Sequence, residues 1–247
     1  MDSKNKHIKK GSLFHSFLFV IWTVISTTLY AMTCIILSLF TKNNARKVAQ
    51  AWNTHLLAIG RVKLRVIGKE KLSPDERYVF FANHQSALDI PALYSGLHHA
   101  VSFIAKKELF MIPLFGWGLR AVGHTWIDRS NARNAHKSIQ RAVKTLHKEK
   151  VSLILFPEGT RSEDGKLKKF KTASFSLAIK AGVKIVPVTI IGSARVLPKK
   201  STKIIPGEIT LKISEPVDPK NLKGMTKAEI SSLVRDEIEK NLTAPTA

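Results

Sequence analysis

The chain has 247 residues, of which 40 are Lys or Arg and 18 are Asp or Glu, giving a formal net charge of +22. A hydrophobic content of 44% is typical of a globular protein and excludes a disordered or collagen-like chain, and the single cysteine excludes an internal disulfide or a cysteine metal cluster. Such a basic chain attracts nucleic acid, anionic lipid or an acidic cofactor, and charge alone does not choose among them.

The first predicted element is an apolar helix over Leu13 to Phe40, a run that contains no Asp, Glu, Lys or Arg. Its length exceeds the roughly 20 residues that cross the hydrocarbon core of a bilayer. An amphipathic helix follows over Asn43 to Ile59, where apolar residues recur at spacings of three and four. Because basic residues flank the first helix on both sides, two topologies stay open: a tilted span, or a two-helix hairpin that enters one leaflet.

From about residue 61 the chain alternates short β-rich runs with helical stretches, which is the pattern of an α/β domain. We therefore predict a two-helix segment over 1–60 and an α/β domain over 61–247. Several strands are almost continuously apolar, as expected for a sheet that helices cover on both faces. The predicted strands are Lys63 to Ile67, Tyr78 to Ala82, Val101 to Ala105, His124 to Ile127, Ser152 to Phe156, Lys184 to Ile191 and Ile209 to Ser214. The predicted helices are Leu88 to Gly96, Asn131 to Lys148, Ala173 to Ala181 and Lys227 to Asn241.

Polar residues follow the second of these strands in the run Asn83-His84-Gln85-Ser86-Ala87-Leu88-Asp89. On one helix the side chains of His84 and Asp89 would lie about 140° apart, so the chain must bend between them if they are to meet. In that bent arrangement Asp89 would fix the tautomer of His84 and leave the other ring nitrogen as a general base. The alternative interpretation is structural, because Ser86 to Asp89 also fits an N-terminal capping box.

A second polar group, Phe156-Pro157-Glu158-Gly159-Thr160-Arg161-Ser162, follows another apolar strand. There the guanidinium of Arg161 could bind a phosphate through two parallel hydrogen bonds. The alternative is a surface ion pair between Glu158 and Arg161, which would contribute little free energy.

Further cations follow two other predicted strands. Arg129 ends the strand that begins at His124, and Lys106 and Lys107 come directly after Ala105. Together with Arg161 they would form a positive rim for an anion, although solvated lysines are the alternative for Lys106 and Lys107. No metal site is predicted, because His98 and His99 lack a matching set of ligands.

Four motifs, in this order, resemble those of the 1-acyl-sn-glycerol-3-phosphate acyltransferases, also called lysophosphatidic acid acyltransferases. The resemblance covers about residues 60–215, and the order and intervals of the motifs make it specific. Trp126 stands where phenylalanine is usual in the second motif. The four matching segments are Asn83 to Ser86 with Asp89, Gly123 to Arg129, Phe156 to Ser162 and Val186-Pro187-Val188.

This resemblance implies an α/β fold with a mixed, largely parallel sheet flanked by helices, and a membrane-bound enzyme of phospholipid synthesis. The implied reaction transfers a fatty acyl group from a thioester to the sn-2 hydroxyl of lysophosphatidic acid, producing phosphatidic acid. The resemblance makes His84 the base and Asp89 the residue that orients it. It assigns acceptor binding to Arg129, Glu158, Gly159, Thr160 and Arg161. The expected donor is acyl-CoA or acyl-acyl carrier protein, both acidic, with no metal, prosthetic group or nucleic acid.

An acceptor and a product that reside in a bilayer make residues 1–60 a membrane attachment and residues 61–247 the catalytic domain. We expect this domain on the cytoplasmic face of an anionic phospholipid surface, and the resemblance with the two basic flanks favours a non-spanning attachment. A lysine run, either near lipid headgroups or merely solvated, follows the third motif at Lys166, Lys168, Lys169 and Lys171.

Two alternative functions remain at this point. A glycerol-3-phosphate acyltransferase or another lysophospholipid acyltransferase would use the same His84 and Asp89 chemistry on a different acceptor. A non-enzymatic basic module that binds anionic lipid or nucleic acid would tolerate the loss of His84.

Overall fold

A computed structural model of the chain describes residues 11–128 and 132–244. Helices and strands alternate through most of it, as the α/β pattern predicts. The helices are α1 (Leu13–Ser38), α2 (Lys42–Ile59), α3 (Asp89–Gly96), α4 (Phe115–Val122), α5 (Ala132–Lys148), α6 (Phe175–Ala181), α7 (Ser193–Val196) and α8 (Lys227–Thr243). The strands are β1 (Val62–Ile67), β2 (Tyr78–Ala82), β3 (Val101–Lys106), β4 (Thr125–Ile127), β5 (Ser152–Leu155), β6 (Lys184–Ile191) and β7 (Gly207–Ile213).

The seven strands form one sheet in the order β1-β7-β6-β2-β5-β3-β4. Strands β6, β2, β5, β3 and β4 are parallel to one another, whereas β7 runs antiparallel to β6 and pairs in parallel with β1. The predicted mixed, largely parallel sheet is therefore confirmed. Because the carboxyl ends of five parallel strands meet at one edge, the loops after β2 and β5, which carry the first and third motifs, also meet there, whereas the fourth motif lies inside β6.

Strand β2 lies in the middle of the sheet, and all five of its side chains are buried. Alternate side chains point to opposite faces, so each face of the strand enters a different hydrophobic core. Phe80 and Ala82 join the core under α1 to α4, whereas Val79 and Phe81 join the core under α5, α6 and α8. This double burial holds the end of β2, and with it the loop that starts at Asn83, in a fixed position.

The two N-terminal helices form a hairpin that packs on the α/β domain along the length of α1. Ser16 near the start of α1 donates through Oγ to the carbonyl of Ile204 (3.4 Å), and the backbone amide of Ile204 donates back to Ser16 Oγ (3.1 Å). Farther along, Cys34 Sγ donates to the carbonyl of Ala45 at 3.4 Å. Buried residues of both helices belong to the same core as the sheet, and the predicted domain boundary at residue 60 stays a prediction.

The outer face of α1 is covered with exposed apolar side chains. Among the described residues α1 is long and apolar enough to cross a membrane, judged by length and composition, with a mean hydropathy of 1.9. Its hydroxyl residues are satisfied within the helix, since Thr27 and Thr28 donate to the carbonyls of Thr23 and Val24. The hydroxyl groups in the polar centre of α1 therefore have hydrogen-bond partners inside the helix.

Two helices, α4 and α7, were not predicted from the sequence. Helix α4 has two glycines in eight residues, which gives it a poor intrinsic helix propensity. Close packing explains both glycines, because a Cβ at Gly116 would overlap the backbone of Phe110 and one at Gly118 would lie 3.0 Å from the Cβ of Ala31 in α1. Helix α7 is a single turn of four residues, too short for a periodic pattern.

Candidate active site

The loop after β2 brings the side chains of His84 and Asp89 together. His84 Nδ1 lies 2.8 Å from Asp89 Oδ2, and the Asp89 side chain is completely buried. The chain bends as the sequence analysis requires: β2 ends at Ala82, a turn follows, and α3 begins at Asp89 itself. Because the carboxylate can only accept at this distance, Nδ1 carries the proton and Nε2 is left as the basic nitrogen of the ring.

Asp89 also organises the backbone of its own loop. The same Oδ2 atom accepts hydrogen bonds from the backbone amides of Gln85 (2.7 Å) and Ser86 (2.8 Å). The bond to Ser86 is one half of the predicted capping box, but the other half is absent, because Ser86 Oγ accepts from the amide of Leu88 instead. The catalytic and the structural interpretations of Asp89 thus describe the same carboxylate.

Phe156, the last residue before the third motif's turn, supports the imidazole from one side. The rings of Phe156 and His84 are stacked, with centroids 3.9 Å apart and an angle of 16° between the planes. The His84 side chain keeps 16% of its surface exposed. With Nδ1 held by Asp89 and one face of the ring covered by Phe156, the imidazole has a single orientation that leaves Nε2 without a hydrogen-bond partner among the described residues.

Asn83 fastens the start of this loop to the neighbouring strand β6. Its Nδ2 donates to the carbonyl of Ile190 (2.9 Å) and its Oδ1 accepts from the amide of the same residue (2.7 Å), with the whole side chain buried. The side-chain amide therefore continues the hydrogen-bond ladder of the sheet by one step beyond β2. The sequence analysis did not assign this function to Asn83, although an amide directly after a buried strand is a usable signal for it.

Glu158 lies beneath the loops rather than at their surface. It is 3% exposed; Oε1 accepts from the amide of His84 (2.6 Å), and Oε2 accepts from the amide of Lys168 (3.1 Å). Burial raises the pKa of this carboxyl, and the two amide hydrogen bonds oppose the rise. The alternative of a surface ion pair between Glu158 and Arg161 is therefore wrong. The expected contact of Glu158 with an acceptor stays a prediction, and each of its oxygens already accepts one backbone amide.

The rest of the third motif forms a turn at the edge of the site. Gly159 has a φ of 75°, a left-handed conformation that suits glycine. Thr160 is exposed, Arg161 is half-buried, and the carbonyl of Arg161 accepts from Lys168 Nζ (3.2 Å) and Lys199 Nζ (3.0 Å). The Arg161 guanidinium forms no ion pair with any residue in the described ranges, so its charge is available for a ligand.

The cations after β3 and β4 are only partly described. Lys107 Nζ lies 3.2 Å from Asp128 Oδ2, and Lys106 Nζ lies 3.3 Å from Glu108 Oε1. Each lysine thus has an acidic neighbour, although both side chains remain more than half exposed. The predicted Arg129 lies outside the described residues. Within those residues no group of three or more His, Cys, Asp or Glu side chains could hold a metal ion.

A cleft of about 440 Å³ opens beside the third motif, at the end of β6. Gln85 lines it and is fixed there, since its Nε2 donates to the carbonyl of Gly165 at 2.6 Å. The cations of the cleft are Arg195 and Lys199, and Lys199 also pairs with Glu163 at 3.0 Å. Sequence reasoning missed these three lining residues because they come from separate segments that meet only in the folded chain.

A chain of aromatic rings continues from the site into the core. Phe156 stacks on Phe103, and Phe103 and Tyr94 both contact the ring of His124 edge-on. His124 Nδ1 accepts from the amide of Phe103 at 3.2 Å, and burial, with a smaller contribution from the charge of Arg46, lowers its pKa to about 4. His124 is therefore neutral at neutral pH and acts as a packing residue.

Comparison with known proteins identifies a family for this site. Residues 63–191 match the acyltransferase family. The chain is 34% identical over 216 residues to a 1-acyl-sn-glycerol-3-phosphate acyltransferase of Chlamydomonas reinhardtii, covering 85% of this chain and 64% of the relative. It is 38% identical over 157 residues to the chloroplastic 1-acyl-sn-glycerol-3-phosphate acyltransferase of Arabidopsis thaliana, covering 63% of this chain and 44% of the relative. The chain thus spans less than two thirds of the length of either relative.

The fold has a close counterpart among solved structures. The crystal structure of the 1-acyl-sn-glycerophosphate (LPA) acyltransferase PlsC from Thermotoga maritima superposes with a TM-score of 0.78 at 29% identity, covering 95% of this chain and 98% of that one. The family match spans the His84 loop, the third motif and β6, so the resemblance drawn from the four motifs is confirmed. This chain belongs to the acyltransferase family.

Proposed function

We propose that the protein is a membrane-bound lysophosphatidic acid acyltransferase. It transfers a fatty acyl group from a thioester to the sn-2 hydroxyl of lysophosphatidic acid and releases phosphatidic acid and a free thiol. The observation that carries this proposal is the His84–Asp89 pair, whose 2.8 Å contact leaves His84 Nε2 as a base at the mouth of the site. The names of the Chlamydomonas and Thermotoga relatives support lysophosphatidic acid as the acceptor.

In the proposed mechanism His84 Nε2 removes the proton of the acceptor hydroxyl as its oxygen attacks the thioester carbonyl carbon. The buried Asp89 carboxylate stabilises the imidazolium that forms and holds its orientation. The tetrahedral intermediate then collapses, the carbon–sulfur bond breaks, and the imidazolium returns its proton to the leaving thiolate. The acyl group passes directly between substrates, so no acyl-enzyme is needed.

Acceptor recognition is assigned to the cations around this base. The Arg161 guanidinium, with no ion pair among the described residues, is suited to a bidentate contact with the phosphate, and Arg129 would add a second contact. Gly159 and Thr160 complete the turn that presents Arg161. Glu158 acts on the substrate only indirectly, by holding the backbone of His84 and of Lys168. Lys106 and Lys107 contribute a diffuse positive rim.

The donor is the only other reactant, because the acyltransferase family needs no cofactor beyond an acyl donor. Both acyl-CoA and acyl-acyl carrier protein carry the thioester at the end of a phosphopantetheine arm, with the phosphate at the opposite end of that arm. The cleft beside Gln85, the residue after the base, is lined by the cations Arg195 and Lys199 and by the acidic residues Glu163 and Asp164. Because these charges balance, the cleft is not assigned to the phosphate of the donor.

Membrane attachment is assigned to an apolar surface formed by α1 and the segment before α4. Contacts at Ser16 and at Ala31 hold both halves of α1 against the α/β domain. If α1 crossed the bilayer, the polar surface of that domain would therefore enter the lipid. We therefore infer a non-spanning attachment, with the catalytic domain, residues 61–247, on the cytoplasmic face. The exposed apolar residues of this surface include Leu13, Phe14, Phe17 and Val24 of α1, Met111 of the segment before α4, and the neighbouring Trp117 of α4.

The first test is the loss of the base. We expect His84→Ala to lower acyl transfer by about 100- to 10,000-fold, the usual contribution of a general base, while thermal unfolding and vesicle binding stay unchanged. His147→Ala, which changes an exposed histidine on α5, is the control and should be fully active. Near-normal turnover by His84→Ala would exclude the proposed mechanism. Asp89→Asn should be severely impaired as well, and a loss of folding in that variant would assign its effect to the loop rather than to the imidazole.

The second test separates lysophosphatidic acid from other acceptors. Arg161→Ala should raise the acceptor KM much more than the donor KM, and Arg161→Lys should restore only part of it, because an ammonium cannot make the bidentate contact. Arg65→Ala, on the exposed strand β1 far from the site, is the matched control. Wild-type protein should prefer lysophosphatidic acid over glycerol-3-phosphate and other lysophospholipids in an acceptor panel. A donor-only effect of Arg161→Ala would contradict the assignment.

A further inference from the structure

A crevice of about 480 Å³ lies between the first three turns of α1 and the last turn of α2, next to the start of the edge strand β1. Its volume falls in the range of small-molecule sites. Apolar side chains form most of its wall, namely those of Leu18, Phe19, Ile21, Trp22, Ala58 and Ile59. The catalytic proposal uses none of these residues.

The walls of the crevice are held in place by two hydrogen bonds between the helices. His15 Nε2 donates to the carbonyl of Ile59 at 2.9 Å, and Trp22 Nε1 donates to His55 Nε2 at 2.6 Å. The first bond also satisfies a carbonyl that the end of α2 would otherwise leave open. The crevice is therefore a preformed feature of the hairpin and not a gap between loosely packed helices.

One end of the crevice is cationic. Arg61 lines it directly after α2, in a left-handed conformation with a φ of 53° that is uncommon for a residue with a side chain. Arg61 is exposed and forms no ion pair within the described part of the chain, in contrast to Lys63, which lies 3.6 Å from Glu208. The start of α1 and the carboxyl end of α2 both lie at this end of the crevice, so their helix dipoles oppose each other there and the positive charge is that of Arg61.

We propose that this crevice binds one anionic phospholipid of the membrane, with the phosphate at Arg61 and part of an acyl chain along the apolar wall. A small water-soluble anion would not require the six apolar residues, and a neutral hydrocarbon would leave the guanidinium unpaired. A guanidinium pairs with phosphate through two parallel hydrogen bonds, which explains why Arg61 rather than a lysine would suit this position. The proposal rests on the membrane attachment of α1 and α2 and assigns that attachment a specific lipid contact.

The test measures retained lipid by native mass spectrometry of the full chain in detergent, with phosphatidylglycerol and phosphatidylcholine as probes. Wild-type protein should retain one phosphatidylglycerol in preference to phosphatidylcholine. Arg61→Ala should weaken phosphatidylglycerol binding by about tenfold or more, the effect of losing a charge-assisted contact. Arg65→Ala removes an equal charge from a nearby exposed position and should bind as the wild type does. Equal weakening by both variants would mean diffuse attraction and overturn the proposal.

A second pair of variants tests the cavity without changing any charge. Ala58→Trp fills the crevice and should abolish retention of both lipids, and Ala58→Leu provides a smaller filling should the tryptophan impair folding. Ala51→Trp places the same side chain at an exposed position of α2 outside the crevice and should leave retention unchanged. Undiminished retention by both Ala58 variants would also overturn the proposal.

Catalysis in detergent distinguishes this inference from the proposed function. All of these variants should transfer an acyl group to a short-chain, water-soluble lysophosphatidic acid at the wild-type rate, because none of them touches the His84 site. Wild-type activity without any retained lipid would defeat the lipid site alone. An inactive wild-type protein would defeat the proposed function.

Discussion

At the scale of single residues, the candidate site consists of one histidine held at three points. Asp89 fixes the ring nitrogen, Glu158 fixes the backbone amide, and Phe156 covers one face of the ring. Asp89 concentrates three donors on Oδ2, whereas its buried Oδ1 has no hydrogen-bond partner among the described residues. Because Asp89 holds the ring and Glu158 holds the backbone of His84, the imidazole has little freedom to turn, as general-base catalysis requires.

At this scale we predict the effect of removing the Phe156 ring that stacks on His84. Phe156→Leu should lower kcat by about fivefold with little change in KM, since an aromatic pair contributes about 1 kcal/mol to holding the imidazole. Phe156→Tyr keeps the stacking and should retain most of the activity.

Phe175→Leu is the matched control for the loss of a buried ring, because Phe175 stacks on Phe81 in the other core. It should lower the unfolding temperature without lowering kcat of the folded protein. If Phe156→Leu lost as much stability as Phe175→Leu but kept the wild-type kcat, Phe156 would be a packing residue and would not position the imidazole.

At the scale of elements, α4 is the piece that joins the membrane-attachment hairpin to the sheet. It packs on α1 through Gly118 and is closed against the preceding segment through Gly116. Leu114, just before α4, has a φ of 59°, so the entry to this helix is strained as well as close-packed. The low helix propensity of two glycines is offset by the contacts that only glycine permits.

The two glycines of α4 should respond differently to the same substitution. Gly116→Ala should lower the free energy of unfolding by about 1–3 kcal/mol, because its Cβ would overlap the rigid backbone of Phe110. Gly118→Ala should change stability by less than about 1 kcal/mol, since a shift of a few tenths of an ångström relieves the contact with Ala31 and alanine favours the helix. Denaturant unfolding of both variants measures the difference, and equal stabilities would contradict this account of α4.

At the scale of the whole molecule, charge and apolar surface are arranged for a membrane interface. The net charge of +22 would favour an anionic surface, and each basic residue near such a surface contributes about 1 kcal/mol of attraction. The exposed apolar side of α1 supplies the hydrophobic contact that charge does not. This combination is typical of proteins that lie on a membrane.

Topology provides the prediction at this scale. Cysteines introduced at Ser3 and at Ser201, in a chain with Cys34→Ser, should both react with an impermeant thiol reagent from the same side of sealed vesicles. Crossing of the bilayer would carry Lys4, Lys6, Lys9 and Lys10 to the opposite face, and nothing in the fold requires that. Labelling of the two positions from opposite sides would establish a spanning α1 and leave the acyltransferase proposal untouched.

The sequence by itself determined the seven strands and most of the helices, and the resemblance of its motifs indicated the pairing of His84 with Asp89. These features depend on local patterns: continuous apolar runs for buried parallel strands, a period of 3.6 for helices, and a spacing of five that only a bend can close. The boundaries of all seven strands agree within two residues. Those of β2 and β6 agree completely, because burial on both faces leaves a central strand no alternative register.

Tertiary structure alone decided which way the polar side chains of the loops turn. The sequence favours an exposed Glu158 that pairs with Arg161, but in the fold Glu158 is buried and accepts from the amides of His84 and Lys168. The amide of His84 comes near Glu158 only because β2 pairs with β5. The same holds for α4, whose glycines oppose a helix locally and permit one only against Phe110 and Ala31. Patterns along the chain record local preference, whereas contacts between residues distant in sequence form only when the sheet has set their distance.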